Sequence, residues 1–220
     1  TGVQEDTAQV SVMADELTGL LLTDSQGRRI GYVDGQMVNE IPGAFLQPLT
    51  GGGDVAHQPV YHLPASSDYT VEISGPSGSP SSPGSVNLYG AGYMLGLDGL
   101  VSSGSSPDRL IFSAGGDGIT FEAGEAKEVD LTLIGGPDSN QAFTIKGADA
   151  ATGGSVSFSQ DTATGQATVD YQNAESGWYT LVITNVTTLG EDVFYHSDIP
   201  AEAGYSHVLD IASLSDDSLE

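Results

Sequence analysis

The sequence predicts an all-β protein made of two antiparallel β-sandwich units. Three observations carry that expectation. Short runs of alternating apolar and polar residues recur about every 8–12 residues, the spacing of sandwiches and barrels. Thirty glycines and ten prolines supply turns between those runs. Sustained helical periodicity is almost absent.

Taken in chain order, the first candidate element is the exception. In "QEDTAQVSVMADELTGLLL", Val10, Met13, Leu17, Leu20 and Leu21 fall near helical spacing, which predicts a short helix near 9–19 ending at Gly19. "TDSQGRRIGY" (23–32) then reads as a strand, a tight turn and a returning strand. In that turn Asp24 is placed to accept backbone N–H bonds, Gly27 to supply a positive φ, and Arg28 and Arg29 to alternate onto opposite faces before Gly31. Asp24, Asp34 and Glu40 are the carboxylates nearest in sequence to the two guanidinium groups.

Further on, "TVEIS" (70–74), "KEVDLTLI" (127–134), "AFTIK" (142–146), "SVSFS" (155–159), "QATVDYQ" (166–172) and "WYTLVITNV" (178–186) all alternate like half-buried antiparallel strands. The Gly-bearing "DTATG" (161–165) predicts a hairpin between the runs at 155–159 and 166–172. "GPSGSPSSPGS" (75–85) reads as a long hairpin loop inside the first unit, and the Ser/Gly/Pro-rich "GLVSSGSSPDR" (99–109) as the connector between units. The expected division is therefore 1–103 and 104–220, the latter closing on an acidic tail, "SLSDDSLE".

Composition removes several function classes. Five basic residues face thirty acidic ones, for a formal charge of −25. A nucleic-acid backbone or an anionic membrane surface needs a Lys/Arg footprint that this chain lacks. No apolar run approaches the ~20 residues needed for a membrane-spanning helix. Cysteine is absent, which removes disulfides, thiolate catalysis and Cys-ligated metals together. A start at Thr1, without methionine or signal peptide, is expected of a mature product or a fragment.

Catalytic signals are equally sparse. The nucleophile-elbow pattern G-x-S-x-G does not occur, and the serines cluster in Gly/Pro-rich turns. His57, His62, His196 and His207 form pairs five and eleven residues apart, unlike the short ligand spacings of zinc sites. Calcium suits the composition better, because hard cations collect oxygen ligands and Asp34, Asp98, Asp117 and Asp138 lie beside or close to glycines. Neither an EF-hand ladder nor a Gly-rich calcium repeat surrounds them, and Asp-Gly pairs also serve simply as turns. Trp178, the single tryptophan, must point away from Tyr179 on an alternating strand, so one of the two is core and the other faces outward.

Two resemblances extend this reading. "NAESGWYTLVITN" (173–185) resembles the tyrosine corner before strand F of immunoglobulin-like domains, which implies an immunoglobulin-like second unit with Tyr179 in a structural role; the disulfide cysteines of antibody domains are missing. Asp24, Gly27, Arg28, Arg29, Gly31 and Tyr32, followed by Glu40, Ile41, Pro42, Gly43 and Ala44, resemble a D-x-x-G-R-R-x-G-Y … E-I-P-G-A signature of β-rich accessory regions in secreted bacterial proteins. Several of those proteins carry a lipase-like or esterase-like α/β hydrolase ahead of such a region, and "YHLPASSDYTVEISG" (61–75) fits the same pattern. The resemblance spans roughly residues 17–100 and implies a compartment and neighbours, with the catalytic elbow elsewhere in those chains.

The expected function is a non-catalytic extracellular or cell-surface accessory module that binds a protein or surface partner, with Arg28, Arg29 and Trp178 as candidate contacts. Two alternatives stand beside it: a self-assembling subunit of a fibre or surface layer, and the C-terminal fragment of a secreted lipase or esterase. Charge also yields a direct test. Self-repulsion among so many carboxylates is relieved by screening, so the melting temperature should rise with NaCl and rise further with CaCl₂ at matched ionic strength if a carboxylate site binds the ion. Indifference to both salts overturns the expectation.

Overall fold

A computed structural model describes residues 9–15, 19–49, 59–74, 83–100, 106–135, 141–161, 163–187 and 190–210. Among these the regular structure is entirely β, in two antiparallel nine-stranded sheets that do not close into a barrel. The path begins with β1 (Gln9–Asp15) in the first sheet, crosses to β2 (Gly19–Asp24), β3 (Arg29–Val33) and β4 (Gln36–Asn39) in the second, and returns through β5 (Phe45–Gln47) and β6 (Val60–Pro64). β7 (Tyr69–Ser74) joins the second sheet.

Beyond β7 the chain adds strands in pairs to alternate layers. β8 (Gly84–Gly90) and β9 (Tyr93–Leu100) extend the first sheet, β10 (Asp108–Phe112) and β11 (Gly118–Glu122) the second, then β12 (Lys127–Gly135) and β13 (Gln141–Ala150) the first. β14 (Ser155–Asp161) and β15 (Gln166–Gln172) form the hairpin that the loop at 161–165 predicted. Finally β16 (Gly177–Thr187) and β17 (Gly190–Ala201) complete the first sheet, and β18 (Tyr205–Asp210) ends the second.

Pairing runs uninterrupted past the expected connector. β9 pairs with β12 in the first sheet and β7 with β10 in the second, so strands on either side of residue 103 share both ladders. One continuous cluster of inward residues fills the space between, from Val10 and Val12 through Leu95, Leu110 and Phe143 to Ile183. Phe143 of β13 meets Phe158 of β14 across the layers, with ring centroids 6.3 Å apart. Each such side chain contributes about 1.5–3 kcal/mol by leaving water.

Two local expectations are corrected. The segment expected to be a short helix is β1 and the start of β2: Val10 and Val12 are buried with a period of two, as are Leu20 and Leu22, while Met13 is exposed. Apolar residues on both faces of two short strands had imitated a helical stripe; Leu17 lies outside the described residues. The stretch 75–85 joins no hairpin, because β7 belongs to the second sheet and β8 to the first. The acidic tail lies outside the described residues.

A buried ion pair ties the two layers where the chain resumes at β10. Lys127 Nζ, at the start of β12, lies 2.5 Å from Asp108 Oδ2, at the start of β10, and the other carboxylate oxygen accepts the Gly124 N–H at 2.9 Å. Their side chains are 7% and 0% exposed. Removing one partner strands the other charge in apolar surroundings, a loss of about 3–5 kcal/mol. Lys127→Met should therefore lower the denaturant midpoint sharply, and Asp108→Asn/Lys127→Met should lose less than the sum of the single changes; additive losses would contradict the coupling.

Candidate functional site

The arginine pair is resolved into two separate ion pairs. Asp24 is the last inward position of β2, and its carboxylate accepts the backbone N–H groups of Gln26 and Arg28 at 2.9 Å each and the Arg28 Nε at 2.7 Å. Burial by itself raises the Asp24 pKa, but the backbone and side-chain bonds from Arg28 and the bond from Gln26 outweigh it and hold the group below the ordinary 3.8. Arg29, on the outer face, grips Glu40 through Nη2 at 3.1 Å and Nε at 3.3 Å, and Glu40 is lowered by that contact. Both guanidinium groups are thus engaged by carboxylates of their own chain and form no joint basic patch.

Glycine completes this hairpin for two distinct reasons. Gly27 closes the turn at φ 77°, its N–H bonding the Asp24 carbonyl at 2.9 Å. At Gly31, φ is 142° and a Cβ would lie 2.3 Å from the Leu20 carbonyl oxygen, so any side chain would push β3 off β2.

The calcium candidates are dispersed. Asp34 (φ 50°) and Gly35 (φ 76°) are the two central residues of the β3–β4 hairpin, the positive-φ pair of a type I′ turn. Asp98 faces Asp130 across β9 and β12, and partial desolvation together with that charge raises its pKa. Asp117, in the β10–β11 turn, accepts the Ser113 hydroxyl. Asp138 lies outside the described residues, and among those described no three histidine or carboxylate groups converge to hold a metal.

Histidine and serine meet at one place that sequence reasoning had not paired. Ser11 Oγ lies 3.0 Å from His62 Nδ1, Gln47 Oε1 lies 2.9 Å from Nε2, and Phe45 stacks on the ring at 4.5 Å. The ring is reversed relative to a triad, with serine at Nδ1 and the Gln47 amide at Nε2, and desolvation lowers the His62 pKa, so an imidazolium is disfavoured there. A shallow groove of about 440 Å³ on the outer face of the second sheet carries further hydroxyls. Its Thr120 donates to Ser157 and its Ser206 to Asp170, and no histidine lines it.

The distinctive surface lies at the last two strands of the first sheet. Tyr179 is buried, its hydroxyl 2.7 Å from His207 Nδ1 of β18, and burial pushes its pKa up to about 12. That contact ties the two layers through side chains. Trp178 consequently faces outward, 56% exposed, and its backbone N–H donates to Asp149 Oδ2 at 3.2 Å. On the same outer face follow Val182 and Val186 of β16, and Val193 and Tyr195 of β17, which pair with Thr184 and Val182. Tyr195 is 62% exposed and Val193 58%.

The stripe had a sequence signal. Apolar residues occupy both parities of "WYTLVITNV", and Val193, Phe194 and Tyr195 are consecutive, which on a strand puts apolar groups on both faces. Compared with known proteins, the chain matches no family model, no curated protein and no solved structure.

The Asp24 contacts predict a pH effect of definite sign. With a folded pKa below the unfolded value, the unfolded chain takes up the proton first, so the pairing stabilises the fold above about pH 4 and is lost as pH falls through the lowered value. Asp24→Asn should be less stable at neutral pH and should flatten the acid limb of the stability curve. A limb parallel to that of the wild type would refute this role.

Proposed function

We propose that this chain is a non-catalytic interaction module of a secreted or cell-surface protein, and that it docks a protein or surface partner through the outward stripe formed by Trp178, Val182, Val186, Val193 and Tyr195. The observation that carries the reading is the stripe itself: Val182, Val186, Val193 and Tyr195 on the outer face of a two-strand ladder, interleaved with Thr184, and Trp178 on the same face beyond the ladder's irregularity, in a chain with 30 acidic residues. Contiguous exposed apolar surface with an aromatic anchor is the signature of an interface. Arg28 and Arg29 take a structural role here, since their partners lie within their own hairpin.

The Gln47 amide at His62, with no carboxylate there among the described residues, and the internally bonded hydroxyls of the second-sheet groove support the non-catalytic part of the proposal. The strongly acidic composition supports an extracellular setting rich in salt or divalent cations. A second reading, self-assembly into a fibre or surface layer, is favoured by the long outer strand β17.

The test is binding of labelled protein to cells and to their shed surface material, with Trp178→Ser as the variant. An interface anchor truncated to serine should weaken binding by about thirtyfold at unchanged melting temperature. Equal binding by the variant would overturn the stripe, and turnover of an ester substrate by the isolated chain would overturn the non-catalytic assignment.

A further inference from the structure

β17 is the only long outer strand of the sandwich among the described elements. At the opposite end the outermost strands, β4 and β5, have four and three residues, and β18 has six, whereas β17 has twelve. Short edges resist pairing with another chain; a long one is a template for it.

The exposure along β17 is unusual on both faces. Val193 and Tyr195 are exposed on the outer face, while on the inner face, where a sandwich strand normally meets its core, Phe194 is only half-buried and His196 is exposed. Tyr205, which pairs with buried Tyr171 and so also faces inward, is 55% exposed. At this end the core therefore runs out into water.

We propose that the free edge of β17 pairs antiparallel with β17 of a second copy about a twofold axis at Phe194, so that the first sheets of two molecules join into one. A twofold axis perpendicular to a sheet pairs only residues that share a face, which limits the registers to those centred on a residue. Centred on Phe194, Val193 lies opposite the partner's Tyr195, Asp192 opposite the partner's His196, and Glu191 opposite the partner's Ser197.

In this register apolar meets apolar, each Asp192 meets an imidazole, and no two carboxylates oppose each other. Centred one residue later, on Tyr195, the register would instead set Asp192 against the partner's Asp198. The proposed seam ends where regular pairing ends: Ser197 and Asp198 lie at the irregularity in the β16–β17 ladder, Asp198 has φ 57°, and Pro200 lacks an N–H. The same axis sets Phe194 against its copy, covering the half-buried inner face of β17.

This seam borrows Val193 and Tyr195 from the docking stripe but makes no use of Trp178, so it holds or fails independently of an anchor at Trp178. With −25 on each chain, association must strengthen with salt. Sedimentation of the full chain across the micromolar range should show monomers shifting to dimers as NaCl is raised. His196→Asp, which places two carboxylate pairs across the seam, should weaken the dimer at least about tenfold. The exchanged variant Asp192→His/His196→Asp should restore it.

Because the chain has no cysteine, register can be read directly. A mixture of Val193→Cys and Tyr195→Cys chains should cross-link on oxidation far more than either alone. Monomers at every concentration and salt, open-ended polymers, a His196→Asp dimer as tight as the wild type, or cross-linking without preference for the mixture would each overturn the proposal. Monomers whose partner binding still depends on Trp178 would remove the seam alone.

Discussion

Everything in this molecule depends on one inward-facing apolar surface shared by two sheets across the length of the described chain. No pair of strands encloses a core of its own; each buries its alternate residues only against the opposite layer. That constraint explains why the chain deposits hairpins alternately on the two sheets from β8 onward: each new pair of inward faces needs a facing pair. It also explains why the ends differ. At the first end the outermost strands are short, while at the other β17 and β18 present inward side chains with no further described strand beyond them.

Scarce cations are spent on structure. Of the five basic residues, Arg28, Arg29, Arg109 and Lys127 each pair with a carboxylate, namely Asp24, Glu40, Glu72 and Asp108. Two of those carboxylates, Asp24 and Asp108, have fully buried side chains at strand ends and accept backbone N–H groups as well. The exposed pairs, Arg29–Glu40 and Arg109–Glu72, are worth much less because water screens them. Charge in this protein therefore acts at particular strand ends.

The proposed recognition surface is built from what is left uncharged. The strand β16 is apolar on both faces, which a core strand does not require: Tyr179, Leu181 and Ile183 go inward, and Trp178, Val182 and Val186 go outward. β17 continues this on its outer face through Val193 and Tyr195. The proposed docking stripe and the proposed seam are thus two consequences of the same composition at the same end of the sandwich, one lateral to the sheet and one along its edge.

The all-β class, the hairpin at 155–172 and the opposition of Trp178 and Tyr179 were legible from residue order, because strand alternation and turn chemistry act over a few neighbours. The helix expected near 9–19 shows the limit of that reading: Val10, Met13 and Leu20 fit a helical stripe in sequence, and only the buried positions offered by the facing sheet select a period of two. Contacts between distant residues were out of reach for the same reason. Lys127 with Asp108, Tyr179 with His207 and Ser11 with His62 are joined by strand pairing and layer packing over long sequence separations. Local sequence determined which residues are strands, turns and inward faces; the tertiary structure alone decided that both halves share two sheets and that, among the described strands, β17 stands at a sheet edge, because burial is a property of the assembled layers.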